Sequence, residues 1–211
     1  MINLRPYQND AVNSVIREWD EGHWHTLLVL PTGTGKTIVF SKIVENKVKK
    51  GEKALILAHR GELLEQASDK LYKSTGIITA LEKAESTSVG TMSPVTVASV
   101  QTLSQDGRLH RFRNDEFDLI VIDEAHHCMS DSYQKVLQYF DTAKVLGVTA
   151  TPDRADQKSL GQFFDTKAYE YTMHQAVKEG YLCPVKAQMI PLELDIKSVG
   201  MSNGDYAVGE V

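Results

Sequence analysis

The feature that most constrains the fold is a glycine-bearing heptapeptide, PTGTGKT, at residues 31–37. It follows a continuous apolar run at residues 26–30, which predicts a buried strand, and it precedes apolar residues that recur at helical spacing. A strand, a tight glycine turn and a helix in that order form a loop whose backbone N–H groups point inward at an anion. The helix N-terminus adds a partial positive charge that faces the same anion. The heptapeptide therefore predicts a phosphate-binding loop.

The residue types in this loop suit a nucleoside triphosphate with its magnesium ion. Lys36 would supply positive charge to the β- and γ-phosphates, and the hydroxyl of Thr37 is placed to ligate Mg²⁺. The pattern departs from the strict one at Leu30, where a glycine is usual. A glycine-rich turn that binds nothing is disfavoured by the strand and helix on either side. The other loop residues expected to contact the nucleotide are Thr32, Gly33, Thr34 and Gly35.

A second signal is the tetrapeptide DEAH at residues 123–126, directly after the apolar run at 118–122. In a doubly wound sheet the end of a strand lies beside the phosphate loop. Asp123 would then hold Mg²⁺, and Glu124 would orient and deprotonate an attacking water molecule. His126 is interpreted as a polar contact near the γ-phosphate. The alternative, a solvated turn, is disfavoured by the presence of the phosphate loop.

Alternation of apolar runs with amphipathic stretches predicts the fold class. Apolar positions such as Leu64, Ala67 and Leu71 recur at helical spacing between the runs. This order predicts an α/β fold with a doubly wound, mostly parallel sheet flanked by helices, whose ligands bind at the carboxyl ends of the strands. The further runs that predict buried strands are residues 54–58, 95–100, 118–122 and 144–148.

The last quarter of the chain has a different character. Residues 172–179 predict a short helix, because Thr172 and Gln175 can form a capping box and Gly180 can end the helix. From about residue 186 the chain is polar and glycine-bearing. We therefore expect one domain over residues 1–185 and a linker toward a missing second domain over residues 186–211.

Composition excludes some classes of protein. The chain has 28 acidic and 23 basic residues, so any contact with nucleic acid must come from a local strip of surface rather than from bulk charge. The two cysteines, Cys128 and Cys183, indicate reduced thiols of a cytoplasmic protein rather than a disulfide framework. No apolar run approaches the roughly 18 residues of a membrane span. Consecutive ligands at residues 126–128 have poor geometry for tetrahedral zinc.

Taken together, PTGTGKT, DEAH and the TAT tripeptide at 149–151 resemble motifs I, II and III of superfamily 2 helicases. Residues 4–8 (LRPYQ) resemble their adenine-reading segment, and residues 56–60 (ILAHR) and 96–103 (TVASVQTL) are similar to nucleic-acid-facing motifs. The chain is most similar to the branch that includes type III restriction motor subunits and bacterial relatives of the transcription-repair helicases.

This resemblance implies a P-loop NTPase domain of the RecA-like type, with ATP and Mg²⁺ as cofactors. By the same resemblance Gln8 would read the adenine edge and Arg5 would frame its pocket. Thr149 and Thr151 would relay the nucleotide state to a partner domain, although both could instead be turn hydroxyls that bond to backbone. The residues that the resemblance assigns to a nucleic-acid track, each of which could equally belong to the solvated surface, are Arg60, Ser99, Gln101 and Thr102.

We therefore expect the N-terminal motor domain of an ATP-dependent DNA helicase or translocase. DNA is preferred through the branch, and RNA is possible. The partner would be a second RecA-like domain of the same full-length chain, which the resemblance implies carries an arginine finger. Without it, the chain should bind ATP weakly and hydrolyse it poorly. The alternatives are a restriction-enzyme motor, a small-molecule kinase and a nucleotide-gated binding module.

Overall fold

The computed structural model describes residues 3–59, 61–150, 160–184, 201–202 and 205–206. A seven-stranded sheet forms its centre, with the strand order β3-β4-β2-β5-β6-β1-β7. Each neighbouring pair in this sheet is parallel. The strands are β1 (His25–Val29), β2 (Ala54–Ala58), β3 (Thr79–Glu82), β4 (Val95–Ser99), β5 (Leu119–Asp123), β6 (Lys144–Thr149) and β7 (Thr166–Glu170).

Helices connect the strands. They are α1 (Pro6–Asp20), α2 (Lys36–Val48), α3 (Gly61–Thr75), α4 (Val100–Leu103), α5 (Asp106–Leu109), α6 (Asp131–Tyr139) and α7 (Met173–Lys178). A 3₁₀ turn covers Ala125–His127, and residues 160–163 are helical. Two short strands, β8 (Met201–Ser202) and β9 (Asp205–Tyr206), pair in antiparallel fashion within the predicted linker.

Two apolar layers, one on each face of the sheet, confirm the doubly wound α/β prediction. Strand side chains alternate between the layers: Leu28, Ile56 and Val121 pack on one face, and Leu57 and Ile122 pack on the other. The first layer is closed by α1, α2 and α3, and the second by α4, α5 and α6. Because both faces are covered, the central strands read as continuous apolar runs.

The predicted strands hold with small corrections at their ends. Asp118 was expected in β5, but the strand begins one residue later, because the Asp118 carboxylate accepts a 2.8 Å hydrogen bond from the Lys53 N–H. Val100 was expected in β4 and instead begins α4. The capping box between Thr172 and Gln175 is present, with Thr172 Oγ1 accepting from the Gln175 N–H at 3.2 Å.

Two strands at the sheet edges, β3 and β7, were not predicted. Their sequences, TALE and TKAYE, carry no continuous apolar run, and most of their side chains are only partly buried. An edge strand is paired on one side and half-solvated, so the hydrophobic pattern that marks a central strand is lost. The sequence therefore predicts the central strands of the sheet better than its edge strands.

Within the described ranges, no helix is both long and apolar enough to cross a membrane. Both cysteines are free thiols, Cys128 buried and Cys183 exposed. The cytoplasmic location remains a prediction.

A stability prediction concerns Gly147, which lies on β6. A Cβ built there would fall 2.2 Å from the ring of Phe164 and 3.0 Å from the Cβ of Ala125. Gly147→Ala should therefore lower the free energy of unfolding by about 1–3 kcal/mol through overpacking, as measured by denaturant unfolding. The control is Gly107→Ala at an exposed position of α5, where a Cβ meets nothing within 4 Å in the described part of the chain. Equal stability of Gly147→Ala and the wild type would contradict this packing.

Candidate nucleotide-binding site

The topology brings three of the predicted motifs to one edge of the sheet. Strands β5, β6 and β1 are neighbours in that order, and all run parallel. In their registers Asp123 is level with Val148, and Val29 is level with Thr149. The segments that follow these strands therefore start side by side at the carboxyl edge, where doubly wound folds bind their ligands.

The phosphate loop closes through its own backbone. Gly33 and Gly35 have φ values of 86° and 82°, a left-handed conformation that L side chains rarely adopt. Thr34 is buried, and its hydroxyl donates to the Pro31 carbonyl at 2.6 Å. The side chain of Thr34 thus holds the loop shut and leaves ligand contact to the backbone. Thr32 is exposed, and Thr37 is partly exposed in the first turn of α2.

Helix α1 is pressed against this loop. The Thr34 carbonyl accepts a 2.7 Å hydrogen bond from the Tyr7 hydroxyl and a 3.0 Å bond from the Gln8 side-chain amide. A Cβ on Gly35 would fall 2.7 Å from Gln8 Nε2, and the φ of 82° at this position favours glycine whatever the space. Gln8 Oε1 also accepts from the backbone N–H of Arg5 at 2.9 Å. One N–H and one lone pair of the Gln8 amide remain for an adenine edge.

The segment after β7 also packs against the start of α1. The ring of Tyr7 stacks on Tyr171 with centroids 4.3 Å apart, and the Arg5 guanidinium lies 4.9 Å above the ring of Tyr181. A Cβ on Gly33 would fall 3.1 Å from the side chain of Leu182. These contacts were not predicted, because they join segments that are far apart in the sequence.

The acidic pair faces the loop lysine. Lys36 Nζ lies 3.9 Å from Glu124 Oε1, and His126 Nδ1 lies 3.6 Å from Glu124 Oε2. The backbone N–H of Glu124 donates to Asp123 Oδ1 at 3.1 Å. Glu124 has a φ of 58° and is the one non-glycine residue with positive φ in the described part of the chain. Backbone strain of this kind is retained where the surroundings fix a side chain for a purpose.

The electrostatics around Asp123 favour a cation. Burial, together with the nearby negative charge of Glu124, raises the pKa of Asp123 above its ordinary value, while Lys36 opposes the rise. Burial and the charge of Asp123 also raise the pKa of Tyr133, whose hydroxyl is buried and has no hydrogen-bond partner among the described residues. The Asp123 carboxylate and the Thr37 hydroxyl are oxygen donors of the kind that Mg²⁺ prefers. These residues therefore fit the predicted magnesium site.

The zinc alternative finds no support. In the described part of the chain, no cluster of three metal-ligating atoms includes His126, His127 or Cys128. The rings of His126 and His127 instead pack against each other with centroids 4.1 Å apart, and Cys128 is fully buried.

The predicted nucleic-acid residues lie farther along the same edge. Ser99 ends β4, and its hydroxyl donates to Gln101 Oε1 at 2.9 Å. Gln101 is exposed and Thr102 is partly exposed on α4. Thr149 is buried, and its carbonyl accepts from the Leu30 N–H at 3.0 Å, which ties β6 to the loop. Two further predicted residues, Arg60 and Thr151, lie outside the described residues.

Comparison with known proteins identifies the family. Residues 1–154 match the family described as "Type III restriction enzyme, res subunit". The chain belongs to this family. It is the N-terminal RecA-like domain of the superfamily 2 helicases and translocases, as the motifs indicated.

Relatives of this res-subunit domain include helicases and restriction motors. The chain is 34% identical to the candidate ATP-dependent helicase IRC3 of Saccharomyces cerevisiae, a match that covers 96% of the chain and 31% of the relative. It is 31% identical to the type I restriction enzyme EcoAI endonuclease subunit of Escherichia coli, a match that covers 98% of the chain and 26% of that subunit. The chain thus spans about a third or less of these relatives.

A solved structure of similar fold is a nuclease-deletion mutant of the type ISP restriction-modification enzyme LlaGI in complex with a DNA substrate mimic. The match has a TM-score of 0.65 and 21% identity, and it covers 84% of the chain and 20% of that protein. At this identity the likeness supports the RecA-like fold alone.

A pH prediction follows from the raised pKa of Asp123. A carboxyl group whose folded pKa is raised stabilises the fold below its unfolded pKa, near 3.8, and that contribution is lost as pH rises through the folded value. Asp123→Asn removes the charge and keeps the shape. Without nucleotide, its Tm should exceed that of the wild type at pH 7, and the difference should shrink as pH falls toward 4.

Thermal unfolding monitored by circular dichroism between pH 4 and pH 8 measures this difference. The control is Asp115→Asn, because Arg113 lowers the pKa of the exposed Asp115, the opposite direction. A lower Tm for Asp123→Asn than for the wild type at pH 7 would rule out the unfavourable buried charge.

Proposed function

We propose that this domain is the ATP-binding half of an ATP-dependent DNA helicase or translocase. The observation that carries the proposal is the approach of Lys36 Nζ to Glu124 Oε1 at 3.9 Å, between a glycine loop and the end of β5. Two segments that are distant in sequence leave a cationic and an acidic side chain facing one another. A triphosphate with its metal ion carries both signs of charge and complements this arrangement.

In the proposed complex the phosphates lie on the backbone N–H groups of the loop, and Lys36 contacts the β- and γ-phosphates. Asp123 and Thr37 would hold Mg²⁺, which supplies charge neutralisation at the phosphate oxygens. Gln8 would use its remaining amide N–H and lone pair to contact adenine, and the Arg5 guanidinium, held over Tyr181, would border that pocket. Each of these assignments matches a residue type to the group that it would bind.

Hydrolysis is assigned to Glu124. Its carboxylate would orient a water molecule, accept its proton as the water oxygen bonds to the γ-phosphorus, and leave ADP with the electron pair of the broken P–O bond. His126, 3.6 Å from the other carboxylate oxygen, would fix the orientation of Glu124. The left-handed backbone at Glu124 aims the side chain toward Lys36 rather than along the strand.

Nucleic acid would bind along the carboxyl edge at Ser99, Gln101 and Thr102. Hydroxyls and amides suit backbone phosphates, which position a strand without reading its sequence. DNA is proposed over RNA because the relatives include restriction enzymes. Arg60 and Thr151 complete the proposed track and the proposed coupling element, in which Thr149 is the other member.

A second RecA-like domain of the full-length protein is also part of the proposal. The curated relatives are about three times as long as this chain or longer, which leaves room for such a domain in them. An arginine supplied from that domain would stabilise the charge of the transferred phosphoryl group, an effect worth ~10³–10⁵ in rate. We therefore expect residues 1–211 alone to bind ATP weakly and to hydrolyse it poorly.

A restriction-enzyme motor is the second candidate, favoured by the family match and by the EcoAI relative. The same ATPase would then move DNA toward a nuclease in another part of the protein. Cleavage of circular DNA by the full-length protein in the presence of ATP would select this candidate, and strand separation without cleavage would select the helicase.

Nucleotide binding is tested with Lys36→Ala. Removing a charged hydrogen-bond donor to phosphate should weaken ATP affinity about 10- to 100-fold, measured by calorimetric titration of the full-length protein. The matched control is Lys49→Ala at the other end of α2, where the ammonium pairs with Glu45 at 2.5 Å. Unchanged affinity in Lys36→Ala would remove the basis of the proposal.

Hydrolysis is tested with Glu124→Gln in the full-length protein. The amide keeps the size of the side chain and cannot accept the proton, so kcat should fall by about 10²–10⁴ while ATP affinity stays near the wild-type value. Phosphate release under saturating ATP measures kcat. Unaltered turnover would favour the nucleotide-gated binding module instead of a motor.

A further inference from the structure

Three histidine rings connect the two ends of the proposed site. His59 directly follows β2 and stacks on His127, with centroids 4.4 Å apart and planes inclined by 20°. His127 in turn packs on His126 at 4.1 Å. These rings lie at the carboxyl edge, where β2 and β5 are neighbours in the sheet. They form a continuous row of contacts from the end of β2 to the 3₁₀ turn after β5.

Each end of this row joins a residue that already has an assigned role. On one side Gln101 Nε2 lies 3.2 Å from His59 Nδ1, and Ser99 donates to the other end of the same amide. Because Gln101 Oε1 accepts from Ser99, its NH₂ group faces His59. On the other side His126 lies 3.6 Å from Glu124, the residue assigned to orient water.

We propose that the stack of His59 on His127 is a positioning contact that couples occupancy of the nucleic-acid edge to the placement of Glu124. The inference rests on the proposed function and adds two positioning residues to it. Neither ring is assigned to contact ATP. His59 lies within residues 56–60, the segment that resembles a nucleic-acid-facing motif, but only Arg60 of that segment was assigned to the nucleic-acid track. Their role follows from the row of contacts.

The physical basis is competition for the side-chain amide of Gln101, which is exposed, whereas Ser99 is buried. A phosphate that accepts the amide hydrogen now directed at His59 Nδ1 replaces that hydrogen bond. His59 is exposed, and contacts rather than enclosure in the core hold its ring in place. When the hydrogen bond between the Gln101 amide and His59 is lost, the His59 ring shifts. The ring of His127 then shifts with it, because two stacked rings cannot overlap.

The length of the row makes the coupling direct. From Gln101 to Glu124 it consists of one hydrogen bond, two ring contacts and one close polar approach. The first three steps are direct contacts, and in the last step His126 Nδ1 lies 3.6 Å from Glu124 Oε2. No domain movement is required for the first part of the response, although the second domain is still required for full turnover.

The experiment measures ATP hydrolysis by the full-length protein with and without single- and double-stranded DNA. His59→Ala removes the ring. We expect nucleic-acid stimulation of kcat to fall at least fivefold, while basal kcat and the Kd for DNA, measured by fluorescence anisotropy, stay within twofold of the wild type. His59→Phe, which keeps a ring over His127, should retain most of the stimulation.

The matched control is His25→Ala. His25 stacks on Phe163 with centroids 4.6 Å apart and planes inclined by 9°, but it begins β1 and so lies at the opposite edge of the sheet. It should keep full stimulation. Loss of stimulation in His25→Ala to the same degree as in His59→Ala would overturn the inference, because any lost stack would then have the same effect.

Three further outcomes are decisive. Full stimulation in His59→Ala overturns the inference and leaves the proposed function standing, provided that Lys36→Ala is inactive beside it. Loss of basal turnover in both His59→Ala and His59→Phe, with a lowered Tm, assigns the ring a structural role and also overturns the inference. Absence of DNA-stimulated hydrolysis in the wild type would overturn the proposed function itself, and the coupling with it.

Discussion

The site depends on the parallel register of β5, β6 and β1. Because these strands are neighbours and end at one edge, the loop after β1 and the acidic turn after β5 meet without any long connection. The Leu30 N–H bonds to the Thr149 carbonyl, so the register extends one residue past β1 into the loop. A slip of one residue would turn every strand side chain to the other face. The apolar layers on both faces prevent that slip, and thus the core fixes the position of the charges.

The charges themselves oppose folding. Asp123 and Glu124 are adjacent, partly buried carboxylates, and Lys36 lies near enough to offset part of their charge. The left-handed backbone at Glu124 adds strain. The paired carboxylates and the strained backbone lower the stability of the ligand-free domain. A bound cation would neutralise the carboxylates, and the triphosphate would neutralise Lys36. The apolar core supplies the stability that allows such an arrangement to persist.

The sequence predicts the parts of the fold whose signal is local. Continuous apolar runs predict the central strands, and a capping residue predicts α7, since both depend on neighbours in the sequence. The edge strands are missed because a half-solvated strand carries no continuous apolar run. Contacts between distant segments are missed for a related reason: nothing near Tyr171 or Glu82 in the sequence shows that one stacks on Tyr7 and that the other, fully buried, pairs with Arg108 at 2.8 Å. The orientation of the Thr34 side chain likewise has no signal in the sequence, because its hydroxyl turns inward and donates to the Pro31 carbonyl.

The hydrogen bonds behind the phosphate loop explain how it is prepared for an anion. In a trans peptide the C=O and the following N–H point to opposite sides. The Thr34 carbonyl is held toward α1 by Tyr7 and Gln8, so the N–H of Gly35 is directed away from α1. The hydroxyl of Thr34 likewise holds the Pro31 carbonyl, so the N–H of Thr32 is directed away from that hydroxyl. Gln8, which is proposed to contact adenine, therefore also orients the phosphate loop, and a change at Gln8 would disturb both.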